Sequence, residues 1–153
     1  MVSIEVPKEY GYVLFSVTVN AFIYSAVVAS GRVMKARKNL DVQYPNLYAT
    51  PGHHKHADAF NRVQRGHQAL FEQLPFLQLS SLVGGLQYPL ANAVGFNLFL
   101  LGSHLYQIGY EDMKLDVKTA RYGKGGWIKY FGILACLGTA GKVSLGMTGL
   151  FGK

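Results

Sequence analysis

The sequence predicts an all-α, integral membrane four-helix bundle, and its charge pattern carries most of that prediction. Across 153 residues, 50% are hydrophobic and only 15% are charged, against about 25% charged in an average soluble domain. No Asp, Glu, Lys or Arg occurs from Tyr10 to Gly31 or from Gln73 to Tyr110, and Lys142 is the one charge from Tyr130 to Gly152. A bilayer core of roughly 30 Å takes about 20 residues of helix at about 1.5 Å each. The first stretch suits one span, the second suits two, and the last suits one. A single domain over residues 1–153 is expected, with spans at 12–34, 68–86, 90–110 and 127–150.

The first span follows Glu5 and Glu9, the wrong flank for a cleavable signal, and its apolar run is too long for a signal core. It is expected to be retained. Ala21, Ser25 and Ala29 form a small-residue stripe that invites a neighbouring helix, with Asn20 beside it as an interhelical hydrogen bonder. A polar loop with Pro45, Asn46, Pro51 and Gly52 follows. The second helix is predicted to start near Ala59 and to enter the membrane around Gln68. Gly84-Gly85-Leu86-Gln87-Tyr88-Pro89 reads as a tight reversal, with glycine supplying positive φ and Pro89 stopping the preceding helix. The third helix runs to Tyr110. A charged loop then leads to Trp127, a suitable interfacial anchor. In the glycine-rich fourth helix, Lys142 must snorkel, find a partner or mark the end of the buried part. Cys136 has no partner cysteine in the chain and suits an inert packing role.

Basic residues orient the bundle. Arg32, Lys35, Arg37, Lys38, Lys55, Arg62 and Arg65 follow the first span, and Lys114, Lys118, Arg121, Lys124 and Lys129 follow the third. With four spans these loops share one face, which the positive-inside rule assigns to the cytosol. The net charge of +7 is then a topological signal, and no interleaved basic and aromatic pattern argues for nucleic acid. His53, His54 and His56 lack the spacing of a metal site, so no metal is expected and a solvated loop fits them better. His104 reads as a packing histidine. Gly123-Lys124-Gly125-Gly126 lacks the spacing of a phosphate loop.

The chemistry concentrates in Phe60-Asn61-Arg62-Val63-Gln64-Arg65-Gly66-His67-Gln68-Ala69-Leu70-Phe71-Glu72. At about 100° per residue, Arg62, Arg65, Ala69 and Glu72 share one helix sector, with Gln68 at its edge. Ionisable groups entering lipid are costly and face protein or a wet cavity. An internal Arg65–Glu72 salt bridge is one reading. The other is a site for a small zwitterionic or anionic ligand, since guanidinium forks suit carboxylates and a carboxylate suits an ammonium. Arg37 and Lys38 end the first helix, and Tyr106 and Tyr110 end the third, at the same membrane face.

At these residues the sequence resembles the MAPEG family of integral membrane glutathione enzymes, nearest to the microsomal glutathione S-transferases of type three. The likeness is carried by Pro7-Lys8-Glu9-Tyr10-Gly11-Tyr12, by Lys35-Ala36-Arg37-Lys38 with Val42-Gln43-Tyr44-Pro45, by Phe60-Asn61 with Gln64-Arg65-Gly66-His67-Gln68 and Glu72, and by Gly84-Gly85 through Pro89 to Tyr106 and Gly109-Tyr110. It implies a homotrimer that binds glutathione between protomers near the cytosolic face. Glutathione is the co-substrate, lipophilic electrophiles are the targets, and lipid-hydroperoxide reduction is a companion activity. By position, Arg37, Arg65, Glu72, Tyr106 and Tyr110 fall where the family contacts glutathione, with Lys38 and His67 as additional contacts. The family activates the thiol with a loop arginine before the fourth helix; here Arg121 fills that role, with Lys118 as the alternative. Ala69 stands where the family has Asn, and the loop carries an insertion. These departures keep a second reading open: a non-catalytic scaffold or an accessory subunit of a larger membrane complex. The expected location is the endoplasmic reticulum membrane, with a mitochondrial membrane as the alternative.

Overall fold

A computed structural model describes residues 5–149 and contains only helices and turns among them. Helix α1, Tyr10–Leu40, is followed by α2, Ala57–Phe71, and α3, Leu74–Gly85; α4 spans Pro89–Glu111 and α5 spans Lys129–Thr148. Single 3₁₀ turns at Ala120–Tyr122 and Gly126–Ile128 connect α4 to α5. The α2–α3 pair is one rod with a break at Glu72 and Gln73. Pro75 at the start of α3 cannot donate to the carbonyl one turn back, so the ladder is interrupted there. The fold is therefore four rods, joined by one long loop, one tight reversal and one charged loop.

Helix α1 contains two π-helical stretches, Ser16–Asn20 and Ile23–Ala29, which the periodicity of the sequence does not announce. The Ser30 hydroxyl donates to the Ser25 carbonyl at 2.7 Å within the wider turns. Ala21, Ser25 and Ala29 are buried as the small-residue stripe requires. Asn20 donates to Asn97 Oδ1 at 2.8 Å, and Asn97 donates to Ser16 Oγ at 2.8 Å, so α1 and α4 share a polar ladder. Val13, Val17, Leu70, Leu77, Phe96, Phe99 and Cys136 form the main apolar core between the rods.

The Gly84–Pro89 reversal differs in detail from its sequence reading. Neither Gly84 nor Gly85 has positive φ. A Cβ on Gly84 would lie 2.9 Å from both the Ala140 nitrogen and Asn92 Nδ2, so this glycine is present to let α5 and α4 approach. Lys142 finds its partner at the same end, with Nζ 5.0 Å from the centroid of the Tyr88 ring.

Two helices, Tyr10–Leu40 and Gly126–Thr148, are long and apolar enough to cross a membrane. The outer surface of the other two rods is just as apolar: Phe76 is 72% exposed and Val94 60%, beside Leu134 at 67% on α5. A soluble protein does not present so continuous an apolar girdle to water. Helix α4 has the length of a span, but Asn92, Ser103 and Gln107 dilute its hydropathy while turning inward. Helix α3 alone has only 12 residues.

Candidate functional site

The site lies where the ends of α2 and α4 meet the start of α5. On α2, Arg65 Nη1 is 2.9 Å from Glu72 Oε1, an ion pair whose two side chains are 42% and 46% exposed. The pair closes two turns of helix just above the Pro75 break. From the loop after α1, the Tyr48 hydroxyl hydrogen-bonds to Gln68 Oε1 one turn away. Partial burial holds the Tyr48 phenol above its ordinary pKa, against the opposing charge of Arg65.

Helix α4 supplies the aromatic floor. Tyr106 and Tyr110, one turn apart, stack with centroids 5.7 Å apart and planes 15° from parallel. Tyr122 meets Tyr106 edge-on at 6.5 Å. Arg121, on the first 3₁₀ turn, sets its guanidinium carbon 5.1 Å from the Tyr122 centroid, and its Nε is buried without a hydrogen-bond partner. Lys129, the first residue of α5, places Nζ 3.9 Å from the Tyr106 centroid. Lys129 also lies within electrostatic reach of Arg65, Arg121 and Glu72, which ties the loop residues to the α2 pair.

Three glycines fix this arrangement. A Cβ on Gly126 would lie 2.7 Å from Tyr106 Cα, one on Gly102 would lie 2.6 Å from Lys129 Cα, and one on Gly109 would strike the Ala120 carbonyl. No side chain fits at these positions, so the loop and the start of α5 rest directly on α4. That contact is what holds Arg121 and Lys129 around Tyr106.

The expected stripe on α2 splits in two. Arg65 and Glu72 stay together, while Arg62 turns away into the protein. Its Nη1 donates to the carbonyls of Asp112 at 3.2 Å and Leu115 at 3.1 Å, and its Nε lies 3.5 Å from Asp58 Oδ2. Arg62 is therefore a latch on the loop that carries Arg121. Asp112 reinforces it, accepting from the Lys114 backbone N–H at 3.0 Å and pairing with Lys124 at 3.3 Å. That N–H, and then Lys124, holds the Asp112 carboxyl below its ordinary pKa. The environment around α2 is not uniform, and free loop carbonyls drew the Arg62 guanidinium inward, away from Arg65 and Glu72.

The other sequence-predicted residues fall outside the cluster of this chain. Arg37 sits between rings, 4.5 Å from the Tyr44 centroid and 4.9 Å from that of Phe60. Lys38 is exposed beside it. His67 Nε2 is 3.1 Å from the Ser30 hydroxyl and its ring packs on Phe71, so it holds α2 against α1. Lys118 is exposed in a turn capped by Asp116. His104 packs edge-on against Tyr24, and His54 bonds the Asp41 carbonyl in the long loop. Lys129 was not foreseen as a site residue, because in the sequence it is one more basic residue of the loop after Tyr110. Its adjacency to Tyr130 and its place at a helix start were the available signals.

An open ion pair, a stacked tyrosine floor and two cations set against tyrosines, neither in an ion pair among the described residues, suit a small ligand with charges of both signs and an anionic reacting atom. The model of the MAPEG family matches residues 13–142. The chain therefore belongs to that family of integral membrane proteins, which includes membrane glutathione transferases and peroxidases and the leukotriene and prostaglandin synthases.

Proposed function

We propose that this MAPEG protein is a membrane glutathione transferase of the type-three kind, with lipid-hydroperoxide reduction as a companion activity. The observation that carries the reading is the convergence of Arg65–Glu72, Tyr106–Tyr110 and Arg121 at the end bearing both basic loops. Glutathione, a family co-substrate, fits the donor set. It has two carboxylates, one ammonium and one thiol. Arg65 keeps N–H groups beyond its bond to Glu72 Oε1, and the second Glu72 oxygen suits the ammonium. The tyrosine floor takes the peptide backbone. The unpartnered Arg121 Nε suits the sulfur.

Arg121 acts by favouring the ionised thiol, since a guanidinium beside sulfur stabilises only the charged form. The thiolate attacks the electrophilic carbon of a substrate arriving from the bilayer. A carbon–sulfur bond forms, and the electron pair of the broken bond leaves with the displaced group. The reading includes four spans, cytosolic basic loops, the endoplasmic reticulum membrane and a homotrimer. In that assembly Arg37, with Lys38 beside it, faces a neighbour's cluster, and His67 acts through its hold on α1.

Arg121→Ala tests the reading. Bound glutathione should persist while the thiolate signal and the conjugation rate fall, by about a hundredfold for loss of a stabilising donor. If Lys118→Ala causes that loss and Arg121→Ala does not, the activating cation is Lys118. Ala69, which adds no polar group to the site, favours the second reading of a non-catalytic scaffold. Wild-type protein that neither binds nor ionises glutathione would establish that one instead.

A further inference from the structure

Lys129 is only 2% exposed, yet no carboxylate or carbonyl pairs with its ammonium among the described residues. A buried ammonium is costly unless an anion or hydrogen bonds compensate it. The rings of Tyr106 at 3.9 Å and Tyr130 at 5.4 Å do so only in part. Helix packing holds the lysine there, because Gly102 presses its backbone onto α4 and Gly126 seats the preceding turn against Tyr106. Tyr106 from α4 and Tyr130 on α5 face it, and Arg121 from the loop and Arg65 with Glu72 from α2 lie within electrostatic reach. The only carboxylate in that set is already held by Arg65 at 2.9 Å.

Charge then decides what the lysine is for. Arg65, Arg121 and Lys129 against Glu72 leave the cluster with an excess of two positive charges. Glutathione carries one net negative charge as the thiol and two as the thiolate. The ionised form offsets more of that positive charge than the thiol form does, and Lys129 is part of the charge it meets.

We propose that Lys129 is a second cation at the glutathione sulfur, acting with Arg121 to hold the thiolate; the inference rests on the glutathione reading above. The thiol proton leaves to water, and no covalent bond to the lysine forms. Lys129, 2% exposed and set against the Tyr106 ring, acts on the sulfur through its charge, while Arg62 positions the loop.

The experiment compares wild type, Lys129→Met and Lys129→Arg as full-length protein in detergent. Thiolate absorbance of bound glutathione is titrated against pH, and binding of S-methylglutathione, which has no ionisable thiol, is measured beside it. In Lys129→Met the titration midpoint should rise by about one pH unit, the lower end of what an adjacent opposite charge produces. That is roughly tenfold less thiolate below the midpoint, with kcat falling in step and KM little changed. S-methylglutathione should bind as in wild type, and Lys129→Arg should restore the midpoint. An unchanged midpoint in Lys129→Met overturns the proposal. So does equal loss of S-methylglutathione binding, which would make the lysine a carboxylate holder. Should the Met variant fail to assemble, Lys129→Gln gives the same comparison. Wild type that never forms thiolate refutes the glutathione reading itself, a result distinct from a normal wild type with an indifferent Lys129.

Discussion

The two ends of the bundle solve the problem of polar groups in opposite ways. At the reversal end, Asn92 and Thr139 hydrogen-bond to each other at 2.9 Å and Tyr10 donates to the Leu82 carbonyl at 3.0 Å. Each of these groups is answered from within the chain, and Gly84 lets the helices close around them. At the loop end, Arg65 and Glu72 stay half exposed, and Arg121 and Lys129 have rings in place of anions. Polar groups satisfied internally serve assembly. A surplus of charge held rigidly by glycine contacts serves recognition, because rigid placement without a counter-ion costs stability that folding alone does not return.

Breaking the closed end should give the largest effect on folding and none on chemistry. Gly84→Val drives a side chain into Asn92 and the Ala140 backbone and should cost about 3 kcal/mol, the upper part of the overpacking range. Thermal unfolding in detergent reads it, and the thiolate titration of the surviving folded fraction should be unchanged. Arg62→Met comes next. It leaves the Asp112 and Leu115 carbonyls without their donor, for about 2 kcal/mol, and should also weaken the thiolate signal, because the Arg121 loop loses its latch. A normal thiolate signal in that variant would mean the glycine contacts alone position Arg121.

Glu72→Gln sharpens the contrast from the other side. The pair is nearly half exposed, so stability should move by no more than about 0.5 kcal/mol. Glutathione binding, measured calorimetrically, should weaken by about tenfold, or ~1.4 kcal/mol. The smallest effect concerns Asp112. Its carboxyl is held below the ordinary range in the folded protein, so its contribution is present above that range and is lost as the pH falls through the lowered value. Amide exchange over residues 113–124 should quicken at acid pH in wild type, after correction for intrinsic rates. In Asp112→Asn it should be fast at every pH.

Much of this was legible in the sequence. The charge-free runs located the rods, Pro89 marked the start of α4, and Asn20 found its partner across the small-residue stripe, since each is a one-dimensional signal. The Arg65–Glu72 pair was legible because helix geometry alone brings the two together. Three features depended on chain contacts that spacing does not encode. Arg62 was captured by carbonyls about fifty residues away, Gly84 answered to α5, and Lys129 took its place from Gly102 and Gly126. The wider turns of α1 left no trace in residue type.

On the proposed function, the loop end of the bundle holds an ionised glutathione sulfur. The measurement that bears on it most directly is the ultraviolet pH titration of glutathione bound to the wild-type protein, read against the S-methylated analogue as a blank. Thiolate absorbance is expected near neutral pH, well below the range in which the free thiol ionises. If bound glutathione shows no thiolate until the pH at which the free thiol ionises, the cations of this site do not serve the sulfur and the claim is wrong.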